Sequence, residues 1–76
     1  MRWQEHIVAT PDTLHGSPRF RGTRIPVSVV LDNLASGVSP EVLHADYPTL
    51  PKDAVSAALA YAADQARDTI VPIPTA

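Results

Sequence analysis

Apolar positions in the middle and C-terminal parts of this chain recur at helical spacing, whereas the N-terminal part holds only two short runs that read as strands. Val27, Val30, Leu31 and Leu34 fall at i, i+3, i+4 and i+7, which predicts a first helix from about Val27 to Ser36. Pro26 stands just before its first turn, and Gly37 is placed as the left-handed residue that ends it. A second helix follows at once. Ser39 is suited to the N-cap, Pro40 to the first helical position, where a missing N–H costs nothing, and Glu41 to the positive end of the helix dipole. Val42, Leu43 and the ring of Tyr47 are its expected buried side, and Pro48 stops it. Two helices joined by a short glycine-containing turn match the spacing of a helix-turn-helix.

The third helix is the longest, from about Lys52 to Thr69. Val55, Ala58, Leu59, Ala62, Ala66 and Ile70 form an apolar stripe assigned to the core. Ala54, Ala57 and Tyr61 are left as a second face, assigned to a partner. Upstream, His6–Ala9 reads as a short strand closed by Pro11 and Asp12. Ser17–Arg21 reads as a second strand between the turn points Gly16 and Gly22. The expected architecture is mainly α: a three-helix, helix-turn-helix-like bundle preceded by a short β arm or hairpin. Residues 1–70 form one domain, and residues 71–76, broken by Pro72 and Pro74, form an extended tail.

Composition narrows this picture. Seventy-six residues give a core near the lower size limit. The chain has no cysteine to staple it and only 5% aromatic residues, so Val, Leu, Ile and Ala must build that core. Partner burial is the expected remedy, and a homodimer is expected. No apolar run approaches a membrane span and the N-terminus lacks a signal-peptide core, so a cytoplasmic location is expected. The net charge of −2 hides an asymmetry. Residues 1–26 carry four arginines against two carboxylates, for +2; residues 27–76 carry two basic against six acidic groups, for −4. Any anion is expected on the N-terminal part.

Candidate chemistry follows the same division. Arg19, Arg21 and Arg24 on the arm suit phosphate contacts, and equally suit pairing with Asp32, Asp46 or Asp53. Lys52 and Ser56 are the base-reading candidates at the start of the third helix, a sparse set for a recognition helix. Candidate partner contacts are Ala54, Ala57, Tyr61, Gln65, Arg67, Ile70, Val71 and Ile73. The three histidines lack the spacing of a metal-binding helix, no activated nucleophile is recognisable, and GSPRFRGTR lacks the lysine of a phosphate-binding loop. Neither catalysis nor a metal or cofactor is expected.

The wording of the central segment resembles one family. Gly16 and Pro18, Gly22–Val27, Ala35–Gly37, Tyr47–Leu50 and Ala57–Ala62 follow the pattern of the domain-of-unknown-function 433 family of small bacterial and archaeal proteins, over roughly residues 5–66. The resemblance implies a winged-helix or homeodomain-like three-helix fold. It also implies an antitoxin-like role of the VapB type, in which the domain neutralises a PIN-like ribonuclease toxin and represses its own promoter through operator DNA. A stand-alone helix-turn-helix regulator and a dimeric interaction module without nucleic acid are the alternatives. Gly16, Gly22, Thr23, Gly37, Tyr47 and Pro48 are the structural residues of the motif: Gly22 for a sharp turn, Thr23 to bond the turned backbone, Tyr47-Pro48 to close the helix pair. One departure stands out. Pro51 occupies the place where the family pattern has a Thr or Ser N-cap for the third helix, which predicts a poorly capped start.

Overall fold

A computed structural model describes residues 1–68. Among these residues a short antiparallel hairpin, β1 (Ile7–Val8) and β2 (Arg19–Phe20), precedes three helices: α1 (Val27–Ala35), α2 (Pro40–Asp46) and α3 (Ala54–Asp68). The candidate tail contacts Ile70, Val71 and Ile73 lie outside the described residues. Ile7 pairs with Phe20 and Val8 with Arg19. Beyond β2 the chain turns at Gly22 and comes back beside it, so that Arg19 also bridges Pro26, and the Val27 N–H donates to the Pro18 carbonyl at 3.0 Å. β2 is therefore held on one side by β1 and on the other by the entry to α1.

Helix boundaries follow local chemistry. Ser39 caps α2, its Oγ accepting from the Val42 N–H at 3.3 Å, with Pro40 at the first helical position. Gly37 takes φ +89° after α1, the left-handed value an L side chain resists. α3 begins later than its periodicity predicts, because a turn comes first. The Ala54 N–H donates to the Pro51 carbonyl at 3.0 Å, and the Ala57 N–H to the Asp53 carbonyl at 2.9 Å. Pro51 is thus a turn residue ahead of the helix, and Asp53 precedes the first helical residue. The residue before the helix is therefore Asp53 rather than Pro51, and among the described residues no side chain accepts a hydrogen bond from the first turn of α3, so the start remains without a side-chain cap.

Phe20, Leu43, Val27 and Val30 are the largest fully buried side chains, joined by Ile7, Leu50, Ala54, Ala57 and Ala58. α1 packs on α3 and on α2, and a 3₁₀ turn at Trp3–Glu5 packs on α3. Two expectations are corrected here. Ala54 and Ala57, assigned to a partner face, have no exposed surface at all, whereas Leu59, assigned to the core, is 53% exposed, and Ala66, assigned with it, is exposed too. An alanine-rich helix has apolar residues on more than one face. The face without long side chains is the one that can approach its neighbours closely, so it turns inward. For the same reason of geometry, Val42 is 48% exposed while its neighbour Leu43 is fully buried, since successive helical residues point about 100° apart.

Substitutions separate the two faces. Phe20→Ala is expected to cost about 3–5 kcal/mol in urea unfolding, through lost transfer energy and a cavity. Ala57→Leu is expected to cost about 1–3 kcal/mol by overpacking. Leu59→Ala is expected to stay within about 0.5 kcal/mol of the parent. A Leu59→Ala cost as large as that of Phe20→Ala would place α3 the other way round.

Candidate functional site

The loop between β2 and α1 is built by Thr23. Its N–H and its Oγ1 both donate to the Phe20 carbonyl, at 3.0 and 2.8 Å, and Oγ1 in turn accepts from the Ile25 N–H at 3.1 Å. The Phe20 N–H closes the loop on the Ile25 carbonyl at 3.1 Å. Gly22 sits at φ +78°, and a Cβ there would meet nothing within 4 Å. Glycine is needed at this position for its backbone angle rather than for space.

With Phe20 pointing into the core, its strand neighbours project from the other face. Arg19 is half-buried; its guanidinium donates to the Thr23 carbonyl at 3.0 Å and to Thr10 Oγ1 at 3.5 Å, and its Nε is buried without a partner. Arg21 is exposed and donates from Nε to the Glu5 carbonyl at 3.1 Å. Arg24 is exposed. None of the three forms an ion pair with Asp32, Asp46 or Asp53 among the described residues, so carboxylate pairing does not account for the cluster. Instead Arg19 and Arg24 line an open cleft of about 440 Å³ together with Thr13, Gly22, Thr23 and Thr49. Lys52 and Ser56 are exposed near the start of α3 and are not part of this cleft.

Thr13 and Thr49 carry no signal of their own in the sequence. They reach the cleft only because the β1–β2 connection and the α2–α3 turn meet beside the loop. The connection is itself unusual: Leu14, His15 and Gly16 follow one another at φ +53°, +55° and +82°. Two non-glycine residues in that region cost about 1–2 kcal/mol each, strain that the surrounding structure must sustain.

A second cluster lies at the N-terminal turn. The Trp3 ring meets Tyr61 edge-on, with centroids 5.0 Å apart and planes at 87°, and its indole N–H donates to Asp64 Oδ2. Asp64 also receives a hydrogen-bonded ion pair from Arg67 one turn further along α3. Tyr61 is therefore half-buried and engaged within the fold, while Gln65 and Arg67 remain exposed. On the outward side of α3, Leu59, Ala63 and Ala66 are exposed, flanked by half-buried Val55 and Ala62. Among the described residues no group of three His, Asp or Glu side chains is arranged to hold a metal ion, and no helix is long and apolar enough to cross a membrane.

The Trp3 hydrogen bond, then that from Arg67, holds the Asp64 carboxyl below its ordinary value. Folding thus gains stability from Asp64 at pH above the unfolded value of about 4, and loses it as pH falls through the lower folded value. Trp3→Phe keeps the ring contact but removes the donor, so the Asp64 carboxyl followed by NMR should titrate at higher pH than in the parent. An unchanged titration would mean that the indole does not hold Asp64.

Comparison with known proteins places the chain in context. Residues 7–62 match the model of DUF433, a family described as a protein of unknown function. The uncharacterized protein y4eO of Sinorhizobium fredii (strain NBRC 101917 / NGR234) is 37% identical over 59 residues, which cover 78% of this chain and 27% of that protein. The crystal structure of a DUF433 member protein from Anabaena variabilis ATCC 29413 superposes with a TM-score of 0.75 at 34% identity, covering 86% of this chain and 64% of that one. The chain thus spans about a quarter of the curated relative.

Proposed function

For a chain that belongs to the DUF433 family, we propose an antitoxin-like role: a small domain that seats on a PIN-like ribonuclease and neutralises it. The observation that carries the reading is the outward side of α3. Leu59, Ala63 and Ala66, with half-buried Ala62 beside them, repeat at helical spacing and are exposed, while Val55 at the margin packs against the core. A helix whose two sides are both apolar, in a domain this small, is suited to burying the second side against another protein. Leu59 is the anchor of that surface, with Gln65 and Arg67 at its edge. It replaces the face of Ala54 and Ala57, which the core has taken.

Two other readings draw on other features. The order α1, short turn, α2 fits a helix-turn-helix-like arrangement, and the exposed Arg21 and Arg24 are available to operator DNA, as autorepression requires. A homodimeric module without nucleic acid would use the same α3 surface, with a second copy as its occupant.

The test is capture from the native host with tagged parent and Leu59→Glu chains. Under the antitoxin reading a PIN-like nuclease co-purifies stoichiometrically with the parent, and its activity is suppressed. Leu59→Glu, still folded by circular dichroism, should weaken that complex by about 2 kcal/mol, roughly thirtyfold in Kd. A clean bait that sediments as a dimer, and as a monomer after Leu59→Glu, would replace this reading with the homodimeric one.

A further inference from the structure

We propose that the cleft beside the Gly22–Thr23 loop is a binding site for a phosphoryl oxyanion. The inference does not depend on the α3 partner reading. Its walls are Thr13, Arg19, Gly22, Thr23, Arg24 and Thr49, with two guanidinium groups and no carboxylate among them. In a chain of net charge −2, this concentrates positive charge in one concave, polar place.

Arg19 is the fixed member. A guanidinium has five N–H donors and does not lose its proton. The Thr23 carbonyl and the Thr10 hydroxyl take one donor each, Nε meets neither partner nor solvent, and no carboxylate pairs with the group among the described residues. A half-buried cation held this way is under-compensated, and an anion in the cleft supplies the missing charge. Arg24 is the open member, exposed and without a side-chain hydrogen bond among the described residues, so its planar fork is available to two oxygens of one phosphoryl group. The hydroxyls of Thr13 and Thr49 likewise form no hydrogen bond among the described residues and supply neutral donors. The Thr23 hydroxyl donates to Phe20, so it shapes the loop rather than holding the ligand. Gly22 keeps one wall at bare backbone, with open space where a Cβ would stand.

The phosphoryl group has two possible sources with the same chemistry: free phosphate, or the backbone of a DNA duplex. The full chain, labelled with ¹⁵N, is titrated in chloride buffer at constant ionic strength with inorganic phosphate, and separately with a short duplex. The expected result is saturable shifts confined to amides around Thr13, Gly22–Arg24 and Thr49. Saturation by phosphate alone assigns a free ligand; saturation by the duplex alone assigns a backbone phosphate. Arg24→Ala, whose side chain has no bond in the fold to lose, should weaken binding roughly tenfold, and Arg24→Lys by less, since it keeps charge but not the fork. No saturable shift with either probe, or an affinity unchanged in Arg24→Ala, would overturn the site.

Discussion

Phe20 ties this fold together. Its ring is fully buried, its N–H and carbonyl close the loop that follows, and its place opposite Ile7 sets the hairpin register. Three things are fixed by that single residue. The hairpin is attached to the helices, since a two-stranded ribbon of this size has little stability alone. The entry to α1 is drawn back alongside β2. The residues on either side, Arg19 and Arg21, are turned away from the core, because side chains alternate along a strand.

The arginine loop and the α3 surface are two independent consequences of this packing. The loop owes its shape to short-range hydrogen bonds among Phe20, Thr23 and Ile25, so it remains a fixed polar edge beside the bundle. The outward side of α3 owes its exposure to a choice between two apolar faces. Small residues went inward, where backbones approach closely, and Leu59 went outward. The N-terminal turn secures the other flank of α3 through Trp3, Tyr61 and Asp64, joining residues from opposite ends of the described chain. A protein without cysteine gains a long-range tie there from an aromatic contact and a charge-assisted hydrogen bond.

Much of the local structure was legible in the residues themselves. Ser39-Pro40 announces the start of α2, Gly37 the end of α1, and Gly22-Thr23 a turn whose threonine bonds its own backbone, because each of these depends on interactions within a few residues. The two strands were legible in position but ran longer in expectation, Ser17–Arg21 against the observed Arg19–Phe20, since the register is limited by the partner strand. The candidate site was legible by half: the arginines were visible as a cluster, whereas Thr13 and Thr49 were not, because nothing local distinguishes them from any other loop threonine.

Short-range spacing alone specifies the three helices, the Ser39 cap of α2, the glycine turns, the N-terminal concentration of positive charge and the family wording. Packing between elements selects which side of α3 is buried, turns Val42 out and Leu43 in, joins Trp3 to Asp64, and brings two distant threonines to the arginine loop. The physical reason is the same in each case. Periodicity states that a face is apolar, but which apolar face packs, and which polar residues meet across the chain, depends on volumes and close approach between elements that only the assembled fold sets against one another.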